Sequence, residues 1–204
     1  MNITIIGSGN MAKGIATRLI AGGHGVTVHA QDEAKGQELA NEINNLKVAS
    51  VGSQTDDVVV LATPYTEIEN IAKTYNGFNG KVVVDISNPV NFDTFQLIPA
   101  PDESGAQHVA DVISGAKVVK AFNTNLAGTL VAGEVDGKKL DVFVAGDDEA
   151  AKTTVKDIIN SSDMRAIDVG PLSVARHLEG FGLIQMQVQD QLGTNWMSAL
   201  KFLG

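Results

Sequence analysis

The stretch Ile3-Thr4-Ile5-Ile6-Gly7-Ser8-Gly9-Asn10-Met11-Ala12 decides how the chain folds. A β-branched run ends on Gly7, and Met11, Ile15 and Leu19 then recur on one stripe across Asn10 to Ala21. A strand therefore hands over to a helix through a glycine turn. The turn has the form G-x-G-x-x-A, and each small residue has a physical task. Gly7 permits the tight turn, Gly9 lets a pyrophosphate approach the backbone, and Ala12 lets the helix pack on the strand. Ser8, Asn10 and Met11 fill the positions between, where the helix N-terminus offers unpaired N–H groups and a partial positive charge to phosphate. A bare G-x-G also arises by chance in ordinary strand-to-helix turns, so the reading rests on what flanks it.

Beyond this stretch, short Val- and Ile-rich runs alternate with helical patterns. Ile3 to Ile6, Val26 to His29, Val48 to Val51, Val58 to Ala62, Val82 to Asp85 and Val118 to Phe122 read as strands. Several lack polar alternation, as expected of strands covered on both faces. Helices are expected at Asn10 to Ala21, Thr66 to Tyr75 and Asp102 to Ile113. The fold class is α/β, a Rossmann-type doubly wound parallel sheet. Beyond Asn123 a strand at Asp141 to Ala145, a helix opening near Asp147, a strand at Ala166 to Val169 and a long helix from about Ser173 follow. No Gly/Ser or Pro-rich linker intervenes. The expectation is one domain over residues 1–204, with a core of about 1–125 and a C-terminal αβ extension of about 126–204.

Composition narrows the chemistry. The absence of cysteine removes disulfides, thiolate catalysis and thiolate metal sites together. The four histidines, His24, His29, His108 and His177, have no metal-type spacing, so no metal is expected. A formal charge of -9 argues against nucleic acid and anionic membrane surfaces. No segment carries the ~18 uncharged apolar residues of a membrane span. With no basic leader before the first apolar run, a cytoplasmic location is the expectation.

The second strand ends His29-Ala30-Gln31, without the acid that usually bonds a ribose 2'-hydroxyl about 20 residues after the glycine loop. A neutral strand end with Lys35 nearby tolerates a 2'-phosphate, which favours NADP(H) over NAD(H). Ligands in such sheets lie outside the carboxyl ends of the strands. Ala62-Thr63-Pro64, Ser87-Asn88-Pro89 and Asn123-Thr124 are therefore expected beside a nicotinamide, although Thr-Pro and Asn-Pro are also ordinary turn signals.

Gly7 to Ala12, Leu61-Ala62-Thr63-Pro64, Asp85-Ile86-Ser87-Asn88-Pro89 and above all Val119-Lys120-Ala121-Phe122-Asn123-Thr124 together carry a resemblance. The chain resembles the NADP-dependent oxidoreductases that reduce the 5-deazaflavin coenzyme factor 420. It also resembles the cytoplasmic oxidoreductase domain of six-transmembrane metalloreductases. Ala145-Gly146-Asp147-Asp148, Asp168 to Leu172, Ala175-Arg176 and Glu179 extend the likeness to nearly the whole chain. The resemblance implies NADP(H) on the glycine loop and hydride exchange with a deazaflavin or flavin stacked on the nicotinamide. Where that family often has Ser-Arg after the second strand, this chain has Ala30-Gln31. The C-terminal stretch Gly182 to Gly204, with Met186, Trp196 and Met197, has its own composition.

Two other readings stand beside this one. Ile6 to Ala12 also resembles the start of pyrroline-5-carboxylate reductases, which would make the chain an imine or carbonyl reductase; a non-catalytic NADP-sensing module is the third. The strand ends show no Ser/Tyr/Lys or Lys/Asn set to donate a proton, and no catalytic side chain is assigned. The partner expected is a small-molecule redox acceptor, with Met186, Trp196, Met197, Leu200 and Phe202 suited to a core or a homodimer contact.

Overall fold

The computed structural model describes residues 1–75 and 77–203; Asn76 and Gly204, the last residue of the C-terminal stretch, lie outside the described residues. The β-branched runs form β1 (Asn2–Ile6), β2 (Gly25–Ala30), β3 (Leu46–Ser50), β4 (Val58–Leu61) and β5 (Val82–Asp85). They are followed by β6 (Lys117–Lys120), β7 (Asp141–Gly146) and β8 (Arg165–Gly170). All eight join one sheet in the order β8-β7-β6-β5-β4-β1-β2-β3. From β3 to β6 this is the doubly wound order of dinucleotide-binding sheets, whose halves diverge between β1 and β4. There Ile6 pairs with His29 on one side and Leu61 on the other.

Side chains explain the arrangement. Ile3, Ile5, Val28, Val60, Val84 and Val119 form a buried cluster with one helix layer, while Ile6, Val59, Leu61 and Val83 face the other. The central strands β1, β4, β5 and β6 are thus apolar on both faces, which is why their runs show no alternation. The helices are α1 (Asn10–Ala21), α2 (Glu33–Glu42), α3 (Ile68–Thr74), α4 (Gly105–Val112), α5 (Ala127–Ala132), α6 (Glu149–Ser161), α7 (Ala175–Gln187) and α8 (Gln189–Leu192). Among these helices, none is long and apolar enough to cross a membrane.

Four details depart from expectation. The sheet is not wholly parallel: β7 runs antiparallel to β6, because β7 enters after the α5 segment and a small hairpin, with no crossover helix back to the same edge. The helix expected from Thr66 begins as a 3-10 turn at Tyr65–Glu67 and ends at Thr74. The one expected from Asp102 starts at Gly105, because Ser104 supplies the cap by accepting from the Gln107 N–H. The sixth strand stops at Lys120 and not Phe122, whose φ of 61° leaves extended geometry.

The C-terminal segment is tied down by Asp141, at the start of β7. Its buried carboxylate accepts from Arg165 Nε at 2.8 Å, Lys201 Nζ at 2.7 Å and the Phe202 N–H at 3.0 Å. Burial pushes this carboxyl up, but the hydrogen bonds from Arg165, Lys201 and Phe202 outweigh it and hold it below the usual carboxylate value. A depressed folded value stabilises the fold above the unfolded value, and the contribution fades as pH falls through the folded one. Asp141→Asn should therefore cost about 2 kcal/mol at neutral pH, shrinking once pH drops below about 4. Urea unfolding of both proteins across that range checks this, and equal stability at neutral pH would contradict it.

Candidate functional site

The glycine loop sits where β1 and β4 meet, and its two glycines do different jobs. Gly7 has φ 116°, and a Cβ there would lie 2.3 Å from the Ala62 carbonyl oxygen. Its N–H donates to the His29 carbonyl at 3.0 Å, while Ala62 N–H donates to Ile6 O at 2.9 Å. Gly7 is thus required by the packing of three strand ends. At Gly9, φ is -83° and a Cβ there would meet nothing within 4 Å. The space above Gly9 is open, as an approaching pyrophosphate needs.

The start of α1 is also left free. Gly9 caps it without a side-chain hydrogen bond, and its first turn holds no acidic residue. By contrast α2, α4 and α6 are capped by the side chains of Asp32, Ser104 and Asp148. An uncapped helix start with unpaired N–H groups facing a cleft is suited to an anion.

Two cavities of about 530 and 430 Å³ share Gly9, Ala62, Thr63 and Pro64, and so form one cleft across the strand ends. The first half is lined by Gly7, Ser8, His29, Gln31, Val51, Lys73 and Tyr75. His29 is buried, with Nδ1 3.1 Å from the Tyr75 hydroxyl, and its Nε2 has no partner. Burial holds the His29 imidazole below its usual value despite Asp56 nearby, so it is neutral at pH 7.

The second half is lined by Asn10, Met11, Ser87, Asn88, Asn123 and Asn125 below, with Phe92, Met186 and Trp196 at its walls. Asn88 and Asn123 brace each other. Asn88 Nδ2 donates to the Asn123 carbonyl at 2.7 Å, and Asn123 Nδ2 donates to Asn88 Oδ1 and the Leu178 carbonyl, both at 2.9 Å. Gly182 makes room for them, since a Cβ there would fall 2.5 Å from Asn88 Oδ1. Ser87 Oγ, Asn123 Oδ1 and Asn125 Oδ1 remain buried without a partner. Such groups are costly when unsatisfied, so three of them beside one cavity point to a ligand that completes them.

Beneath this floor lies a buried ionic cluster. Lys120 Nζ donates to Asp85 Oδ2 at 2.8 Å, Glu179 Oε1 at 3.0 Å and the Ser87 carbonyl at 2.5 Å. Glu179 also accepts from the Gly105 and Ala106 N–H groups at the start of α4, at 3.1 and 3.2 Å. All three side chains are essentially inaccessible, so the cluster shapes the floor and does not line the cleft.

Most of the expected residues converge here, but not all on the cleft. Ala12 is on the buried face of α1, and Ala30 is buried with its Cβ facing Gly36. Pro89 packs against Gly105. Lys35 lies on α2 in a separate shallow pocket with Ser8, Gly9, Asn10 and Lys13. Asp32 is occupied as the α2 cap, accepting from the Ala34 and Lys35 N–H groups. Sequence reasoning assigned no part to Lys73, Tyr75, Asn125, Gln185 or the Lys120 cluster. A signal existed for the last: Lys120 within the otherwise apolar run Val118 to Phe122 and Glu179 among the buried positions of α7 both break their patterns.

The two glycines separate experimentally. Gly7→Ala should cost about 2 to 4 kcal/mol of stability through strain and overlap with Ala62. Gly9→Ala should stay within about 1 kcal/mol of wild type, being an exposed cap position. Chemical unfolding of both variants checks this; equal losses would contradict the division of labour.

Known proteins share this fold. Residues 2–89 match the family model described as NADP oxidoreductase, coenzyme F420-dependent. The chain is 30% identical over 199 residues to the F420-dependent NADP reductase of Methanocaldococcus jannaschii, covering 88% of each. It is 29% identical over 181 residues to metalloreductase STEAP3 of Rattus norvegicus, covering 89% of this chain but spanning 36% of that longer protein. A crystal structure from Arthrobacter sp. FB24, described as a candidate F420-dependent NADP-reductase, superposes with a TM-score of 0.85 at 26% identity, covering 99% of both chains. Family match, full-length relative and shared fold agree: the chain belongs to the coenzyme F420-dependent NADP oxidoreductase family, and it is an NADP-dependent oxidoreductase.

Proposed function

We propose that the cleft binds NADP(H) along its length and passes hydride to a flavin- or deazaflavin-like ring, using position and not side-chain acid–base chemistry. One observation carries this reading. No Asp, Glu, Lys, Arg, His or Tyr is among the described residues lining the second half of the cleft. The names of the relatives, as NADP reductases dependent on F420, support the same choice of partners.

In this reading the backbone at Ser8, Gly9 and Asn10 holds the pyrophosphate at the free start of α1. His29, Gln31 and Tyr75 shape the adenosine end. Lys35 and Lys73 are the nearby cations for a 2'-phosphate, with no arginine to make a bidentate clamp. Asn123 Oδ1 and Ser87 Oγ, both buried and unpartnered, fit a carboxamide whose orientation fixes the exposed face of its ring. NADPH bound there would supply a hydride from its dihydronicotinamide, and with a proton from water the acceptor would leave in its dihydro form beside NADP+. The protein's part is to hold two flat rings in a cleft of restricted water. Reduction of a carbonyl or imine is less well served, because it needs a positioned proton donor.

Gly9→Val should fold yet lose NADPH binding in calorimetry, because the side chain fills the open space above the loop. NADPH should bind more tightly than NADH by about tenfold at low salt and by less at high salt, since exposed cations such as Lys35 and Lys73 are screened. Asn123→Ala should slow NADPH oxidation with a flavin acceptor about tenfold. Equal affinity for both nucleotides, or full activity in Asn123→Ala, would contradict the assignment.

A further inference from the structure

We infer that Lys120 is a positioning residue for hydride transfer: together with Asp85 it clamps the Ser87 peptide unit from both ends, and so sets where the Ser87 hydroxyl meets the nicotinamide carboxamide. This rests on the hydride-transfer reading above. Lys120 acts through Ser87, since its own side chain is fully buried and does not line the cleft.

The clamp is a closed ring of hydrogen bonds. Asp85 Oδ1 accepts from the Ser87 N–H at 2.9 Å, its Oδ2 accepts from Lys120 Nζ at 2.8 Å, and the same ammonium donates to the Ser87 carbonyl. Both backbone groups of Ser87 are thus held by charged partners, whose bonds are stronger than neutral ones. The residue keeps one free polar atom, its Oγ, buried without a partner beside the cleft. The turn is fixed on its far side as well. Pro89 packs on Gly105, where a Cβ would lie 3.0 Å from the Pro89 ring, and the Gly105 N–H donates to Glu179 Oε2 at 3.1 Å. Lys120 reaches that side too, through Glu179 Oε1 at 3.0 Å.

Stability alone does not account for the arrangement. Three charges buried this deeply are often no more stabilising than apolar residues of the same volume. An apolar set, however, leaves the Ser87 N–H and carbonyl unpaired and the turn without a fixed direction. The sequence also places each charge beside the floor. Asp85 stands two residues before Ser87 and Lys120 three before Asn123, while Glu179 follows Leu178, whose carbonyl accepts from Asn123 Nδ2 at 2.9 Å. A shift in the cluster is therefore passed to the floor, and a misplacement of about 1 Å at a reacting centre costs up to about a hundredfold in rate.

A double-mutant cycle tests this in the full chain, read as single-turnover oxidation of pre-bound NADPH by riboflavin. Ser87→Ala and Lys120→Met should each slow the transfer about tenfold, and the double variant should be no slower than the worse single one, because one residue acts through the other. Losses that multiply to about a hundredfold would overturn the inference, as would an unchanged rate in a folded Lys120→Met protein. Calorimetry gives a second readout. Lys120→Met should weaken NADPH binding about fivefold yet leave adenosine 2',5'-bisphosphate, which carries the adenosine end alone, unchanged. An equal loss for both ligands marks a general structural defect and overturns the inference too. Removing the ammonium leaves two buried carboxylates unpaired, so where Lys120→Met does not fold, Asp85→Asn takes its place, with a loss of about threefold that Ser87→Ala again absorbs. If the wild-type protein passes no hydride to riboflavin, the hydride-transfer reading falls, and the calorimetric pair decides the inference by itself.

Discussion

The contact of Lys120 with Asp85 and Glu179 is the constraint on which the rest of the site depends. Asp85 ends β5, Lys120 ends β6, and Glu179 comes from α7, so one ammonium joins the sheet to the C-terminal extension. Glu179 also holds the start of α4 through two backbone N–H groups, and Lys120 holds the Ser87 carbonyl. Bringing three charges out of water is expensive, and geometry of this quality is needed to offset it. An apolar substitute of similar volume would pack, but it would not fix the direction of the Ser87-Asn88 turn. The cluster therefore reads as a device for position, consistent with a floor whose side chains must point one way.

From that anchor the charge distribution of the cleft follows. Lys120, Asp85 and Glu179 are drawn beneath the floor of the acceptor half and paired there, while the surface presented to ligand in that half is amide, hydroxyl, thioether and aromatic. Hydride transfer between two rings develops little charge on the protein, so a neutral cleft loses nothing, whereas a carbonyl or imine would need a donor this surface lacks. The opposite end serves binding: an uncapped helix, a glycine with open space above it, and a neutral buried histidine. The two ends meet at Ala62-Thr63-Pro64, where the strand order reverses.

Much of this was legible in the chain. Uninterrupted Val and Ile runs pointed to the two-sided sheet, and the loop from Gly7 to Ala12 located the switch point, because both signals come from local sterics. Ala62, Thr63, Ser87, Asn88 and Asn123 line the cleft, where their place after strands put them. What escaped depended on contacts distant in sequence. Tyr75 meets His29 across 46 residues, Glu179 meets Lys120 across 59, and Asn125 borders the cleft just after Phe122, which takes a positive φ. The reversal of β7 was equally hidden, since strand direction is set by the connection and not by the strand's own residues. Ala30 and Pro89 were placed correctly along the chain but turn inward, a matter of facing that the uniform apolar pattern of a doubly buried strand does not reveal.

The central claim is that no ionisable side chain takes part in hydride transfer. The pH dependence of the single-turnover rate, measured by stopped-flow with NADPH pre-bound and riboflavin in excess, tests it most directly. A rate that stays level across about pH 6 to 9, apart from any titration of the free ring, is the result the cleft predicts. A sigmoid or bell-shaped profile that vanishes when a single residue such as His29, Lys120 or His177 is replaced would contradict it.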